Sequence, residues 1–244
     1  MDDFSSSEAT HQQWLRLFVT PNYACNYLPD QQARSQVVAP DSAGGSGVYG
    51  QLLEKGFRRS GQVVYRPWCD QCQACVPIRV PVKNFRPNRS QRRCWQRNSG
   101  LQVALRPLVF DAEHYALYRA YQHARHTGGS MDNDSEQEYR DFILGTGVDS
   151  ALVEFRADGA LKMVALVDFV PQALSAVYTF YADEPAASFG TYGVLWQIAH
   201  AQRLGLSHVY LGYWIGASDK MNYKNRFQPC EILRGGRWQV FTDR

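Results

Sequence analysis

The fold is decided by residues 151–181, which read ALVEFRADGALKMVALVDFVPQALSAVYTFY. Three apolar runs in this stretch, at 151–155, 161–170 and 174–181, are rich in β-branched and aromatic residues and are typical of β-strands. Asp158-Gly159 and residues 171–173 are turn signals between the runs. The stretch therefore predicts an antiparallel meander of three strands.

A helix and one more strand follow the meander. Val194, Ile198 and Ala201 recur at i, i+4 and i+7, and Gly205 ends the pattern, as in an amphipathic helix that packs on a sheet. Residues 208–214 are typical of the next strand. Meander, helix, strand is the order found in acyltransferases of the N-acetyltransferase (GNAT-like) type, so we expect an α+β fold.

The first half of the chain predicts shorter elements. Helical patterns cover 48–55, 111–126 with Asp111 as the N-cap, and 132–144; strand patterns cover 62–65, 76–82 and 101–105. Pro77 and Pro81 suggest that the strand at 76–82 lies at a sheet edge. Because the character of the sequence changes near Pro107, we expect a small cysteine-containing, basic N-terminal domain over 1–106 and a GNAT-like catalytic domain over 107–244.

The positive charge of the chain is local. Residues 58–97 hold ten basic side chains and one acidic one, a net charge of +9, whereas all 244 residues sum to +3, which leaves −6 on the other 204. Such a patch points to one face that binds nucleic acid or phosphate. No apolar stretch is long enough to span a membrane, and the N-terminus lacks a signal-peptide pattern, so we expect a cytoplasmic monomer.

Three cysteines, Cys69, Cys72 and Cys75, follow a C-x2-C-x2-C spacing within the basic segment. Thiolates at this spacing can converge on a soft metal, and Cys25 is the natural fourth ligand. Zinc and an iron–sulfur cluster both accept four thiolates, so either is compatible with the pattern. Buried cysteines in a tight turn are the alternative.

A second group of residues has the composition of a phosphate-binding surface. Its cations recur every one to four positions with polar residues between them, and Trp95 is available for stacking on a base. The cations are Lys83, Arg86, Arg89, Arg92, Arg93 and Arg97. A solvated arginine-rich face is the alternative, although the net charge favours a bound polyanion.

A third group follows the strand at 208–214. The strand ends in paired aromatics, and the next loop brings two lysines and a tyrosine beside the sheet end. Such groups can hold a carboxylate, a phosphate or a terminal adenosine. The candidates here are Tyr213, Lys220, Tyr223 and Lys224, and aromatic packing with surface lysines is the alternative.

Taken together, the chain resembles the arginyl-tRNA protein transferase family, and within it the compact bacterial aspartate/glutamate leucyltransferase branch. The motifs run in order from residue 25 to residue 224: CNYLPDQQAR (25–34), GFRRSG (56–61), YRPWCDQCQACVPIR (65–79), Asp168, SAVYTFY (175–181), GTY (190–192), LGYWI (211–215) and KMNYK (220–224). The resemblance departs from the eukaryotic arginyl branch at Leu28, where that branch has the second cysteine of a C-x2-C.

The resemblance implies an aminoacyltransferase that moves leucine from leucyl-tRNA to proteins that begin with Asp or Glu, marking them for degradation by an N-degron route. No cofactor is required, because the aminoacyl ester is already activated. The chemistry asks for a proton acceptor, an oxyanion donor and a cation for the acceptor carboxylate.

Candidate roles follow for individual residues. Asp168, at the centre of the meander, is the expected base or amine-orienting group, and Tyr178 and Tyr181 share its face if the strand register is simple. Arg58 and Arg59 are the expected clamp for the acceptor side chain or for the tRNA backbone. Further candidates for substrate binding are Ser175, Tyr192, Tyr213, Lys220, Tyr223 and Lys224.

Three other functions compete with this one. An arginyl-tRNA protein transferase shares the motifs, and its donor pocket should carry a carboxylate where a leucine pocket is apolar. A non-catalytic zinc-knuckle RNA-binding module accounts for residues 58–97 but leaves the second half without a role. An acetyl-CoA-dependent acetyltransferase is disfavoured, because Tyr192 stands where the phosphate-binding turn wants a glycine.

Overall fold

In a computed structural model of the chain, residues 15–42, 44–126 and 134–242 are described. They form a mixed α+β fold with helices α1 (Gly45–Glu54), α2 (Arg89–Arg97), α3 (Ala112–His126), α4 (Glu136–Tyr139) and α5 (Phe189–Arg203). The strands are β1 (Leu17–Val19), β2 (Tyr23–Ala24), β3 (Gln32–Ala33), β4 (Ser35–Val38), β5 (Arg58–Ser60), β6 (Val63–Pro67), β7 (Val76–Pro81), β8 (Gln102–Arg106), β9 (Ser150–Ala157), β10 (Ala160–Val170), β11 (Ala173–Tyr181), β12 (His208–Trp214), β13 (Glu231–Arg234) and β14 (Arg237–Val240).

The predicted meander forms the centre of an eight-stranded sheet with the order β14-β13-β7-β12-β11-β10-β9-β8. Strands β9, β10 and β11 pair antiparallel in sequence, as predicted. Asp158 and Gly159 both have positive φ, 48° and 82°, as the tight turn between β9 and β10 requires. The β10–β11 register shifts between Leu166 and Val167, so β11 carries an irregularity beside its middle.

Helix α5 carries the chain from β11 back to β12, which pairs with β11 in parallel. This order of antiparallel meander, helix and parallel strand confirms the predicted GNAT-like arrangement. The parallel pairing covers three residue pairs, from Ala173 with His208 to Ser175 with Tyr210. Beyond Ser175 the two strands continue without a ladder between them, and they leave a fork between β11 and β12.

The helices predicted before the meander are present. Asp111 caps α3, because its Oδ1 accepts bonds from the backbone N–H groups of Glu113 and His114 at 2.7 and 3.2 Å. The second helix begins at its Ser135 cap and continues as a π-helical turn to Leu144. Asp132, where the prediction placed its start, lies outside the described residues.

Strand β7 lies between β13 and β12, so the expectation of an edge strand is wrong. The prolines are tolerated because Pro77 and Pro81 flank the short ladder with β13, which involves only Ile78 and Arg79 on β7. Both β7 and β8 lie within residues 1–106 yet belong to the eight-stranded sheet. The boundary at 106 stays a prediction, and a cut there would separate paired strands.

A four-stranded sheet, β1-β4-β6-β5, and the β2–β3 pair make up most of the N-terminal segment. Strand β5 approaches β11, which brings the N-terminal sheet beside the fork. Helix α1 packs its buried face, with Tyr49, Leu52 and Leu53, against this junction. Within the described ranges no helix is both long enough and apolar enough to cross a membrane.

Candidate functional site

Arg58 of β5 reaches into the fork between β11 and β12. Its Nη2 donates to the carbonyl oxygen of Val177, at 3.1 Å, where β11 has already parted from β12. Among the described residues no carboxylate lies within ion-pair distance of Arg58. A guanidinium has five N–H donors in a planar fork, so most of the donors of Arg58 are available to a bound anion.

Gly212 of β12 lets the Arg58 side chain pass. Its φ is +76°, a conformation that other residues rarely adopt. A Cβ at this position would lie 2.9 Å from Nη1 of Arg58, which is closer than real Cβ contacts. Glycine suits this backbone conformation, and a side chain here would push the Arg58 guanidinium from its present position.

Aromatic side chains and a second cation surround the guanidinium of Arg58. The Tyr213 ring centroid lies 6.0 Å from its Cζ, and Tyr27 and Tyr65 are close enough to interact with its charge. Lys224 is buried and donates to the carbonyl oxygen of Tyr213 at 2.8 Å. Burial and the charge of Arg58 hold the pKa of Lys224 well below its usual value. This cluster favours a bound carboxylate or phosphate, because an anion would offset the charge of Arg58 and would favour the charged form of Lys224.

The charged groups of Arg59 and Asp168 are paired with each other. They form a buried bidentate ion pair, with Nε to Oδ2 at 2.8 Å and Nη2 to Oδ1 at 2.5 Å, and their side chains are 1% and 0% exposed. The Ser150 hydroxyl donates to the same carboxylate at 2.7 Å. The remaining N–H groups of Arg59 donate to Ser150 Oγ and to the carbonyl oxygens of Gly61 and Gly145. This geometry favours a structural role over the predicted roles of base and substrate clamp.

Tyr178 and Tyr181 lie on opposite sides of β11, so the expectation that both share a face with Asp168 is wrong. Tyr178 packs on the cluster under α3, and Tyr181 packs on the cluster under α5. Side chains three positions apart alternate across a strand, and the register shift beside Val167 adds to the difference. Both rings contact Tyr121, with centroids 6.4 and 4.8 Å away. Their catalytic role stays a prediction.

The other predicted substrate-binding residues divide into three settings. Ser175 and Tyr213 line a small cavity at the base of the fork. Lys220 is exposed on the loop after β12, and Tyr223 is partly buried, with its pKa raised by burial to about 12. Tyr192 is a core residue of α5.

Two aromatic predictions are therefore less favoured. The Tyr192 ring packs on Trp95 and Phe155, with centroids 5.4 and 5.8 Å away. Trp95 is thereby placed against the core, and the expectation that it stacks on a base is not supported. Tyr27 and Tyr65 were not predicted as site residues. Their positions within the motifs at 25–34 and 65–79 are the one feature of the sequence that could have identified them.

The predicted basic surface centres on α2, a helix that the sequence reasoning missed. Asn88 and Gln91 form a capping box at its start, and Gln91 and Cys94 form its buried face. The six predicted cations are all exposed: Lys83, Arg86, Arg89, Arg92, Arg93 and Arg97. None of them has a carboxylate partner within the described part of the chain. The surface is therefore a concentrated positive field open to solvent.

The four predicted metal ligands, Cys25, Cys69, Cys72 and Cys75, are free thiols that line one groove of about 950 Å³. Burial, and then the neighbouring Cys25, raises the pKa of Cys75 to about 12, and Cys69 and Cys72 are also close enough to raise it. Across residues 15–42, 44–126 and 134–242, no three His, Cys, Asp or Glu side chains form a group that could hold a metal ion. The donor types suit zinc or an iron–sulfur cluster, and the metal site stays a prediction.

Sequence comparison finds two family profiles on this chain. A profile described as the arginine-tRNA-protein transferase N terminus matches residues 23–93, and the corresponding C-terminal profile matches residues 113–234. The Aspartate/glutamate leucyltransferase of Chromobacterium violaceum is 55% identical over 240 residues, 98% of this chain and 99% of that protein. The protein of the same name from Thiobacillus denitrificans is 54% identical, over 93% of this chain and 95% of its own.

Solved structures give more distant matches. The crystal structure of FemX has a TM-score of 0.48 and 9% identity, covering 85% of this chain and 81% of its own. The C-terminal domain of a putative lysylphosphatidylglycerol synthetase from Agrobacterium fabrum has a TM-score of 0.48 and 14% identity, covering 69% of this chain and 59% of its own.

Proposed function

Because this chain belongs to the arginine-tRNA-protein transferase family, we propose that it is an aminoacyltransferase that moves leucine from leucyl-tRNA to proteins beginning with Asp or Glu. The names of the full-length relatives support leucine as the donor group and the two acidic residues as acceptors. The products are then substrates for degradation by an N-degron route.

The observation that carries the acceptor assignment is Arg58 in the fork. Its guanidinium has a backbone carbonyl as its partner, no carboxylate among the described residues, and Lys224 as a second nearby cation. An acceptor side chain that ends in a carboxylate can accept two parallel N–H bonds from a guanidinium. Asn and Gln present an NH2 group on one side, and two donors would then face each other.

The reaction forms an amide bond and breaks an ester bond. The neutral α-amino group of the acceptor attacks the leucyl carbonyl carbon, and the 3′-terminal ribose oxygen of the tRNA leaves and takes up the proton that the amine loses. An α-amino group has a pKa of about 7.7–8.0, so roughly a tenth of it is already neutral at pH 7. The reaction can therefore proceed without Asp168 as a strong base, which suits the buried position of that carboxylate.

The basic surface on α2 is the proposed contact for the tRNA backbone. Its exposed arginines have no acidic partners in the described structure, and phosphate contacts by arginine and lysine position a nucleic acid without reading its sequence.

Four further assignments belong to the same proposal. The enzyme acts in the cytoplasm, where charged tRNA is made, and as a monomer that needs no cofactor for transfer. The four cysteines hold a structural metal only if the groove rearranges to bring the thiols together. Metal analysis of the purified protein, with Cys72→Ser as the comparison, tests that last assignment: a bound metal that the variant loses supports it, and a folded wild type without metal contradicts it.

The test of the function is a transfer assay with purified protein. Leucyl-tRNA and arginyl-tRNA, each labelled on the amino acid, are offered with peptides that begin with Asp, Glu, Asn, Gln, Lys or Ala. We expect leucine on the Asp and Glu peptides alone. Arginine transfer instead of leucine would assign the arginyl activity, and tRNA binding without transfer from either donor would favour an RNA-binding module.

A further inference from the structure

Tyr49 is a buried tyrosine whose hydroxyl lacks a partner. The residue lies on α1 with 0% exposure, and its ring packs with Leu53, Phe57 and Val64. The hydroxyl makes no hydrogen bond of good geometry to any described residue; the Ser175 hydroxyl is close enough to donate weakly to its oxygen, which leaves the Tyr49 proton without an acceptor. Buried hydroxyls in native proteins are almost always hydrogen-bonded, so this one calls for an explanation.

The surroundings of the hydroxyl distinguish Tyr49 from other buried tyrosines. Tyr139 also has a buried, unpartnered hydroxyl, but it lies in the aromatic core under α3. Tyr49, in contrast, lines a cavity of about 10 Å³ together with Arg58, Ser175 and Gly212 at the base of the fork. A space of that size admits a single oxygen-sized group.

The groups that meet at this cavity are mainly donors. Arg58 presents N–H groups, and Ser175 and Tyr49 present hydroxyls. Burial, followed by the charge of Asp168, raises the pKa of Tyr49 to about 12, so its hydroxyl keeps its proton. Asp168 is itself neutralised by Arg59 and does not compete for these donors. Converging donors beside an unpaired cation suit a carboxylate oxygen better than an amide.

We propose that Tyr49 is a specificity-determining residue, whose hydroxyl donates to the acceptor's side-chain carboxylate once Arg58 has bound it. Its ligand is the carboxylate of an N-terminal Asp or Glu, so the inference rests on the proposed function and deepens it. An N-terminal Asn or Gln offers only one acceptor oxygen where a carboxylate offers two, so its amide cannot accept from both Arg58 and the Tyr49 hydroxyl as fully and binds less well.

The experiment measures leucine transfer at saturating leucyl-tRNA to peptides beginning with Asp, Glu, Asn or Gln, for the wild type, Tyr49→Phe and the matched control Tyr139→Phe. Both variants delete one buried, unpartnered hydroxyl, so folding should survive in both. For Tyr49→Phe we expect KM for the Asp and Glu peptides to rise about 10- to 100-fold, the range of a hydrogen bond to a charged group. The expected kcat and tRNA affinity are those of the wild type, and the preference for Asp over Asn falls. For Tyr139→Phe we expect the KM, kcat, tRNA affinity and acceptor preference of the wild type.

An unchanged acceptor KM in Tyr49→Phe, or an equal rise in Tyr139→Phe, would overturn the inference while leaving the transferase activity in place. Absence of transfer by the wild type would instead overturn the proposed function, and this inference with it. Should Tyr49→Phe fail to fold, Ser175→Ala removes the other hydroxyl of the same cavity and is judged by the same results.

Discussion

At the scale of single residues, the backbone conformation of Gly212 affects substrate binding, because it leaves space for the Arg58 guanidinium. Gly212→Ala adds a Cβ that would lie 2.9 Å from Arg58 Nη1 at a φ of +76°. We expect it to displace the guanidinium and lower kcat/KM for acceptor peptides about tenfold or more, as misplaced binding groups do. Acceptor kinetics at fixed leucyl-tRNA measure this effect.

The control for Gly212 is Gly159→Ala. Gly159 has a similar φ of +82°, but nothing lies within 4 Å of its added Cβ. Both variants should lose stability from backbone strain, of the order of 1 kcal/mol. Equal loss of acceptor kinetics in the two variants would show that strain alone, and not the contact with Arg58, explains the effect.

Asp168 offers a second residue-scale prediction. Asp168→Asn removes one partner of a fully buried bidentate pair and leaves the Arg59 charge without compensation. Breaking such a pair costs about 3–5 kcal/mol, so we expect a fall of that size in the free energy of unfolding. Urea titration of the variant measures it.

Asp70→Asn is the comparison, because the Arg34–Asp70 pair at 3.0 Å is exposed on both sides and contributes little. Loss of a catalytic base would lower kcat without lowering the free energy of unfolding. If Asp168→Asn kept wild-type stability and lost kcat, Asp168 would belong to the chemistry and the structural assignment would be wrong.

At the scale of elements, helix α2 carries the prediction for tRNA binding. Arg89 and Arg93 lie one turn apart on its exposed side. Changing both to Ala should weaken tRNA binding and reduce the slope of log K against log salt by about 1.4–1.8, since each phosphate contact contributes about 0.7–0.9. Filter binding at several salt concentrations gives the slope.

The paired control replaces Lys55 and Arg119 with Ala, two exposed cations outside the basic surface. The salt slope of this control should match that of the wild type. Identical slopes for all three proteins would remove α2 from the tRNA interface.

The elements that the sequence predicts are those with a strong local pattern. The meander and α5 have clear periodicity and turn signals, and both are confirmed. Helix α2 was missed because its solvent side is arginine-rich and only Gln91 and Cys94 are buried, so no apolar stripe marks it. The register shift in β11 has no sequence signal, and it changes which side chains beyond it lie on the same face as Asp168.

At the scale of the whole molecule, the candidate site joins segments far apart in the chain. Arg58 follows from the GFRRSG motif, but only the fold shows that it, and not Arg59, reaches the fork. Local patterns predict strands and helices; they do not say which of two adjacent arginines points to a buried partner. The pairing of Asp168 with Arg59 spans 109 residues and is likewise a property of the tertiary structure.

Stability against acid is a prediction for the molecule as a whole. Burial alone would raise the pKa of Glu154, but hydrogen bonds from Arg156, His114 and Arg106 outweigh it and lower that pKa to about 2. A depressed carboxylate pKa contributes stability above the unfolded pKa near 4.5, and this contribution is lost as the pH falls through 2. The Glu154 contribution is up to about 3 kcal/mol, at 1.36 kcal/mol for each pKa unit.

Glu154→Gln isolates that contribution. The difference in unfolding free energy between wild type and variant should be largest above pH 5 and should shrink between pH 4.5 and 2. Urea titrations across this range give the difference directly. If the difference in unfolding free energy does not change with pH, the charge of Glu154 does not contribute to stability.

The central claim is that Arg58 in the fork anchors the acceptor carboxylate. The measurement that tests it most directly is the KM of peptides that begin with Asp or Asn, at saturating leucyl-tRNA, for the wild type, Arg58→Gln and Arg66→Gln. Arg66→Gln is the control, because the Arg66 guanidinium stacks on Phe57 and Trp68. We predict that Arg58→Gln abolishes the preference for Asp, because KM for the Asp peptide rises about 30-fold or more, as for a buried charge pair that loses one partner. The tRNA affinity of Arg58→Gln should equal that of the wild type. Both KM values of Arg66→Gln should also equal those of the wild type. An unchanged preference for Asp in Arg58→Gln would contradict the account.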